Sequence, residues 1–189
     1  MPILDSWKPD DVLKALALVG AAIAFGIGLL QYRRAQQWKR AEWIAQEMKQ
    51  LFGDPIVQAV LLMIDWGSRR IPLYPDRDNE AERYILLNDD QIAHALMSHE
   101  DRPEGFSDLE ADIRAAFDRL LDGLERFNSY VTTGLVTEAD LAAYLGYWAR
   151  EICVEAKPGT EDRLVQLRLY MEKYGFTGAH RLLKRIAAA

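Results

Sequence analysis

The feature that most constrains this chain is the stretch from Val12 to Tyr32, which is apolar except for Lys14 and Gln31. At about 1.5 Å per residue, a helix of this length spans roughly the 30 Å hydrocarbon layer of a bilayer. The uninterrupted part, Ala15 to Leu30, is shorter. Lys14 stands near one end, however, where it can snorkel, and Trp7 and Tyr32 suit the two interfaces. The expectation is one transmembrane helix over 12–32. A cleaved signal peptide would open on a basic region and close on a small-x-small site. Here the start carries Asp5, Asp10 and Asp11 against Lys8, and the run ends in Gln31-Tyr32-Arg33-Arg34.

Basic residues close to a span set its orientation, and Arg33, Arg34, Lys39, Arg40 and Lys49 all follow it. Residues 1–11 should therefore lie outside the inner (cytoplasmic) membrane and residues 33–189 in the cytoplasm. Arg33, Arg34, Lys39 and Arg40 are expected to hold anionic lipid head groups. Within the span, a helical turn of about 100° per residue collects Ala17, Gly20, Ala21, Ala24 and Gly28 on one arc. Leu16, Val19, Ile23, Ile27 and Leu30 fall on another. Gly20-xxx-Ala24-xxx-Gly28 is a tandem small-xxx-small pattern of the kind that lets helix backbones approach closely in lipid, so self-association is expected through that arc.

The remainder reads as helices, making the fold class all-α, with the transmembrane helix continuing into a cytoplasmic helical bundle. Helical periodicity carries the first helix to about Leu51, where Gly53-Asp54-Pro55 supplies a stop, an N-cap and a first-turn proline. The next helix should bury Ile56, Val57, Val60, Leu61, Ile64 and Trp66. Pro72, Pro75 and the charged run 76–83 read as a solvated loop, with extended pieces at 71–74 and 84–87 pairing as a small ribbon. Asn88 or Asp89 caps a short helix. Ser107-Asp-Leu-Glu110 is a capping box opening a helix with Leu109, Ile113, Ala116, Phe117, Leu120, Leu124 and Phe127 on one stripe. Gly134 ends it and Thr137 caps a helix bearing Leu141, Tyr144, Leu145, Trp148 and Ile152. Lys157-Pro-Gly-Thr160 separates that from a helix with Leu164, Leu167, Tyr170, Met171 and Tyr174. Gly175 introduces the last.

Catalytic signatures are weak. His94 and His99 stand five apart, about 140° round a helix, and do not share a face as metal-binding pairs do, so no metal and no cofactor is expected. His180 is isolated. Glu110 with Arg114, and Asp122 with Arg126, stand at i,i+4 and read as a salt-bridged solvated face rather than catalytic carboxylates. Neither a Gly-x-Ser-x-Gly elbow nor a Walker loop occurs, and no enzyme activity is expected. Tyr144, Tyr147, Trp148, Tyr170 and Tyr174 could line a ligand pocket, although aromatics at helical spacing are more often core. The net charge of −6 argues against nucleic-acid binding, which needs a broad basic face. Cys153, the single cysteine, has no partner for an internal disulfide and reads as core.

Several segments carry a family likeness: Trp38 to Lys49, Asp54 to Trp66, Phe117 to Tyr130, Leu145-Gly-Tyr-Trp148 and Tyr174 to Lys184. Through them the chain resembles a bacterial family of single-pass membrane proteins to which no activity is assigned. In architecture it is also similar to the membrane accessory protein of type VI-B CRISPR systems, where a transmembrane helix precedes a HEPN-like helical domain and subunits assemble into a pore. That similarity implies antiviral membrane permeabilisation. HEPN ribonucleases carry an Arg and, with four to six residues between them, a His, a spacing that His94, His99 and His180 all lack. The segregated faces of the span and the weak catalytic signatures lead to the expectation of a membrane-anchored, self-assembling, non-enzymatic protein, and the resemblance implies that it forms an antiviral pore. The alternative is a membrane-tethered scaffold recruiting a protein or small ligand.

Overall fold

The computed structural model describes residues 9–66, 68–153 and 162–188. Trp7, most of the N-terminal stretch 1–11 and the Lys157-Pro-Gly-Thr160 separator lie outside the described residues. The chain divides into two compact units, Met1–Trp43 and Ile44–Ala189. The described residues of the first unit belong to helix α1 (Pro9–Gly53), whose early part is apolar enough and long enough to cross a membrane, with a mean hydropathy of 2.2 in its most apolar window. None of that window is buried.

Among the described residues, the regular elements of the second unit are helices and one two-stranded ribbon. The end of α1 contributes buried Ile44, Met48 and Leu51. Helix α2 (Pro55–Asp65) starts as the sequence indicates: Pro55 fills the first turn and the Asp54 carboxylate accepts from the Ile56 N–H at 2.9 Å. It buries Val57, Ala59, Val60, Met63 and Ile64. Trp66, expected in this core, is instead exposed, because the helix ends at Asp65 and the backbone turns extended at Trp66.

Strands β1 (Arg69–Ile71) and β2 (Ile85–Leu87) pair antiparallel, with Arg70 opposite Leu86. The ribbon expected from the sequence is present, with its first strand starting earlier. Pro72 cannot donate to the ladder, so the strand ends before it. Helix α3 (Glu80–Arg83) forms within the charged run expected to be a loop, because Asn79 caps it by accepting from the Ala81 N–H.

Helix α4 (Asp89–Ala95) opens on a capping box between Asn88 and Gln91. Helix α5 (Asp108–Thr132) opens on the Ser107–Glu110 box and ends at Gly134, whose φ of 73° suits a residue without Cβ. Helices α6 (Glu138–Cys153), α7 (Asp162–Lys173) and α8 (Thr177–Ala188) complete the unit. Helix α5 is central and touches α2, α4 and α8, while α6 packs on α8 and α7 on α4. The stripe of α5 is buried at Ile113, Ala116, Phe117, Leu120, Leu124 and Phe127. Gly123 lets Leu51 approach so closely that a Cβ there would stand 2.5 Å from Leu51 Cδ1.

Candidate functional site

Ala17, Gly20, Ala21, Ala24 and Gly28 share a face of α1 and are all exposed, and a Cβ added at Gly20 or Gly28 would meet nothing within 4 Å. The face is open for a second backbone. Arg33, Arg34 and Lys39 are exposed just beyond the apolar run, and Arg40 is half-buried. Trp38 is exposed among them.

The aromatic residues singled out from the sequence separate into two groups. Tyr144 and Tyr147 are exposed on α6. Tyr147 packs edge-to-face on Trp148 at 4.8 Å and donates its hydroxyl to the Asp65 carboxylate, the leading cause of a phenol pKa raised to about 12. Tyr170 and Tyr174 belong to a different centre, on α7.

That centre is organised around Arg114 of α5. The sequence places Arg114 on a solvated face beside Glu110, but it is buried. Its Nη1 donates to the carbonyl oxygens of Ala95 and Met97 at 2.8 Å each. Those carbonyls close α4 and have no helical N–H to accept from. Glu110 turns the other way, taking the Ser107 N–H at 2.8 Å and Arg102 Nη1 at 2.9 Å, which holds its carboxyl below the ordinary range. The Arg114 guanidinium lies 4.3 Å from the Phe106 ring centroid and 4.9 Å from those of Tyr170 and Tyr174. A guanidinium so enclosed takes part of its stabilisation from ring faces. Tyr170, its hydroxyl pKa raised by burial, donates to Asp118 at 2.6 Å. The Tyr174 hydroxyl accepts from the His99 N–H at 3.1 Å and stands 2.7 Å from His99 Nδ1.

Beside this cluster opens a cleft of about 430 Å³ between the loop after α4 and helix α7. Leu96, Leu169, Tyr170 and Tyr174 give it apolar walls, and Gln166 with the Glu100–Lys173 pair (2.8 Å) gives it a polar rim. Apolar walls with a few convergent polar groups are the ordinary make-up of a binding cleft. His94 is exposed on α4, away from the His99–Tyr174 contact. His180 is buried with Nδ1 3.5 Å from Glu172. Cys153 is half-buried and its thiol pKa is pushed up by burial.

Sequence reasoning misses two arginines that matter here, Arg163 altogether and Arg114 by assigning it to a surface ion pair. Arg163 is 2% exposed, donates to the Met63 and Ile64 carbonyls at the end of α2, and pairs with Asp89 at the start of α4. Arg114 is the second. The available signal was position: Arg163 falls in the stripe with Leu167 and Tyr170, and Arg114 lies between Ile113 and Phe117. Comparison with known protein families, with curated proteins and with solved structures finds no match for the chain.

Proposed function

We propose that the chain is a single-pass protein of the inner membrane that self-associates through the small-residue arc of α1 and holds its helical unit at the cytoplasmic surface as a non-enzymatic scaffold. The observation that carries this reading is the set of ten large apolar side chains between Val12 and Leu30 that nothing covers, with Leu18 and Phe25 75% and 74% exposed. Leaving each such side chain in water forgoes about 1.5–3 kcal/mol, so ten forgo on the order of 20 kcal/mol. That exceeds the ~5–15 kcal/mol by which a whole domain is stable, and a bilayer removes the cost. Arg33, Arg34, Lys39 and Arg40 would then fix the cytoplasmic side and meet lipid head groups. The open arc from Ala17 to Gly28 supports close helix pairing. The cleft beside Tyr170 and Tyr174 supports recruitment of a protein or small ligand.

The second reading, an antiviral membrane pore, is the one implied by the similarity to the CRISPR accessory protein. Against it, Ala15 to Leu30 carries no polar side chain, so a lumen built from this span would be apolar and inclined to dewet.

Flotation with vesicles and resistance to alkaline extraction test the anchor, and mass determination in nanodiscs tests assembly. Ala24→Ile on the arc should reduce the oligomer to smaller species. A strict monomer, unaffected by Ala24→Ile, would end the self-association reading. Dye leakage from vesicles on adding the purified chain would favour the pore, and function retained after exchanging the span for an unrelated one would favour the scaffold.

A further inference from the structure

We propose that the outward face of the β1–β2 ribbon, together with Trp66, docks on the head-group layer of a bilayer containing anionic lipid. This rests on the membrane-anchored reading above and adds a second contact with the same membrane. The ribbon has two unlike faces. Ile71 and Leu87 point into the core, whereas Arg70 and the Leu86 opposite it point outward. Leu86 is 67% exposed and Trp66 52%, and Tyr84 is also open.

Two arginines adjoin these side chains: Arg70 on the outward face itself, and Arg69, paired with Leu87 at the exposed start of β1, which reaches Trp66. The Arg69 guanidinium lies 5.2 Å from the Trp66 ring centroid, and that of Arg70 lies 5.4 Å from the Tyr84 ring centroid. Neither arginine makes an ion pair among the described residues, and both are exposed. Other arginines of the unit are committed: Arg102 to Glu110, Arg119 to Asp54, Arg163 to Asp89 and Arg185 to Glu138. Nearby carboxylates are partly engaged, since Asp65 accepts from Tyr147 and Glu82 from Asn79. An open depression of about 590 Å³ adjoins the face, lined by Arg70, Asn79, Tyr84 and a single carboxylate, Glu80.

The chemistry matches a lipid interface at each point. Trp and Tyr prefer the boundary between head groups and hydrocarbon. A guanidinium without a carboxylate partner is suited to bind phosphate in bidentate fashion. Leu86 supplies an apolar tip on the same face. Two arginines and three apolar side chains would bind a membrane weakly from free solution. On a chain already held by a span, the contact becomes intramolecular and its effective concentration is high.

The test uses the full chain with Cys153→Ala and Leu86→Cys, labelled at position 86 with an environment-sensitive fluorophore and reconstituted into vesicles. Vesicles of phosphatidylcholine alone are compared with vesicles that also contain phosphatidylglycerol. The expected result is a blue shift and several-fold stronger quenching by doxyl-labelled lipid in the anionic vesicles only. Raised salt and the pair Arg69→Glu, Arg70→Glu should both remove it, while the chain still floats. A chain that floats without any such shift overturns the ribbon contact and leaves the anchor standing. A shift that follows protein concentration rather than lipid charge overturns it in favour of a second copy. Failure to float overturns the anchored reading, and the ribbon contact with it.

Discussion

Replacing Arg114 with methionine removes the charge and both donated hydrogen bonds while keeping a flexible, unbranched apolar side chain over the inner part of the same path. Two hydrogen bonds from a charged group contribute about 1.5–3 kcal/mol each, and their loss leaves the carbonyls of Ala95 and Met97 without a donor. The ring contacts with Phe106, Tyr170 and Tyr174 add about 0.5–1 kcal/mol each, of which a thioether against the same rings recovers about 1 kcal/mol in total. These contributions overlap, so the net expected loss is about 3–5 kcal/mol, the range for breaking a buried ionic network. For a unit of this size that lowers Tm by about 10 °C. Thermal unfolding of the full chain in one detergent, followed by near-UV circular dichroism, measures it. Hydrogen exchange should show the added opening concentrated in α4 and the loop before α5. Arg119→Met is the comparison, because Arg119 pairs with Asp54 at 2.5 Å but its side chain is 60% exposed, and such a pair contributes no more than about 1 kcal/mol. If the two variants lost the same stability, or if exchange rose evenly through the unit, Arg114 would not be the group holding α4 in place.

Gly178→Ala should cost about 1–3 kcal/mol in the same assay, since the new Cβ would run into the Glu125 carboxylate and the Asn128 amide; hydrogen exchange at the start of α8 locates the damage. Ser107→Ala, which dismantles the capping box of α5, should cost about 1 kcal/mol by the same melt. For His180 the expected pH dependence has a definite sign. Burial, and then the Lys184 charge, hold its pKa below the ordinary 6.5, with Arg168 acting the same way and Glu172 opposing. The unfolded chain therefore takes up the proton more readily than the folded one. Stability is complete above pH 6.5 and falls as pH drops below it. A Tm measured against pH should show this slope, and His180→Gln should remove it.

Features that depend on neighbours in sequence were legible before any coordinates. The apolar run, the proline and aspartate opening α2, the Asn88 and Ser107 caps and the glycine after α5 all use contacts within a few residues. The error at Trp66 came from extending a helical stripe one residue past the true end of α2. At α3, a charged composition outweighed the Asn79 cap. The aromatic residues named together divide between two places, because helical spacing does not say whether Tyr147 on α6 and Tyr174 on α7 face each other. The structure puts Tyr147 beside Asp65 and Tyr174 beside His99.

What remained hidden has a common physical origin. A helix leaves unpaired carbonyls at its end and unpaired N–H groups at its start. Where a local cap is missing, a charged side chain from another helix takes its place. Arg163 closes α2, Arg114 closes α4, and Arg168 closes α6 through the Ile152 carbonyl at 2.8 Å. Glu125 opens α8, accepting the Gly178 and Ala179 N–H groups at 2.7 and 2.9 Å. In each case the sign of the charge opposes the helix dipole at that end. These residues lie 16 to 100 positions from the groups they satisfy, too far for any local pattern to connect them. Their positions in or beside apolar stripes were visible, and a charged residue there has to find a partner at the end of some other helix. An arginine in a buried stripe is thus better read as a remote helix cap than as half of a surface ion pair, and on that reading Arg114 and Arg163 would have been singled out from the sequence alone.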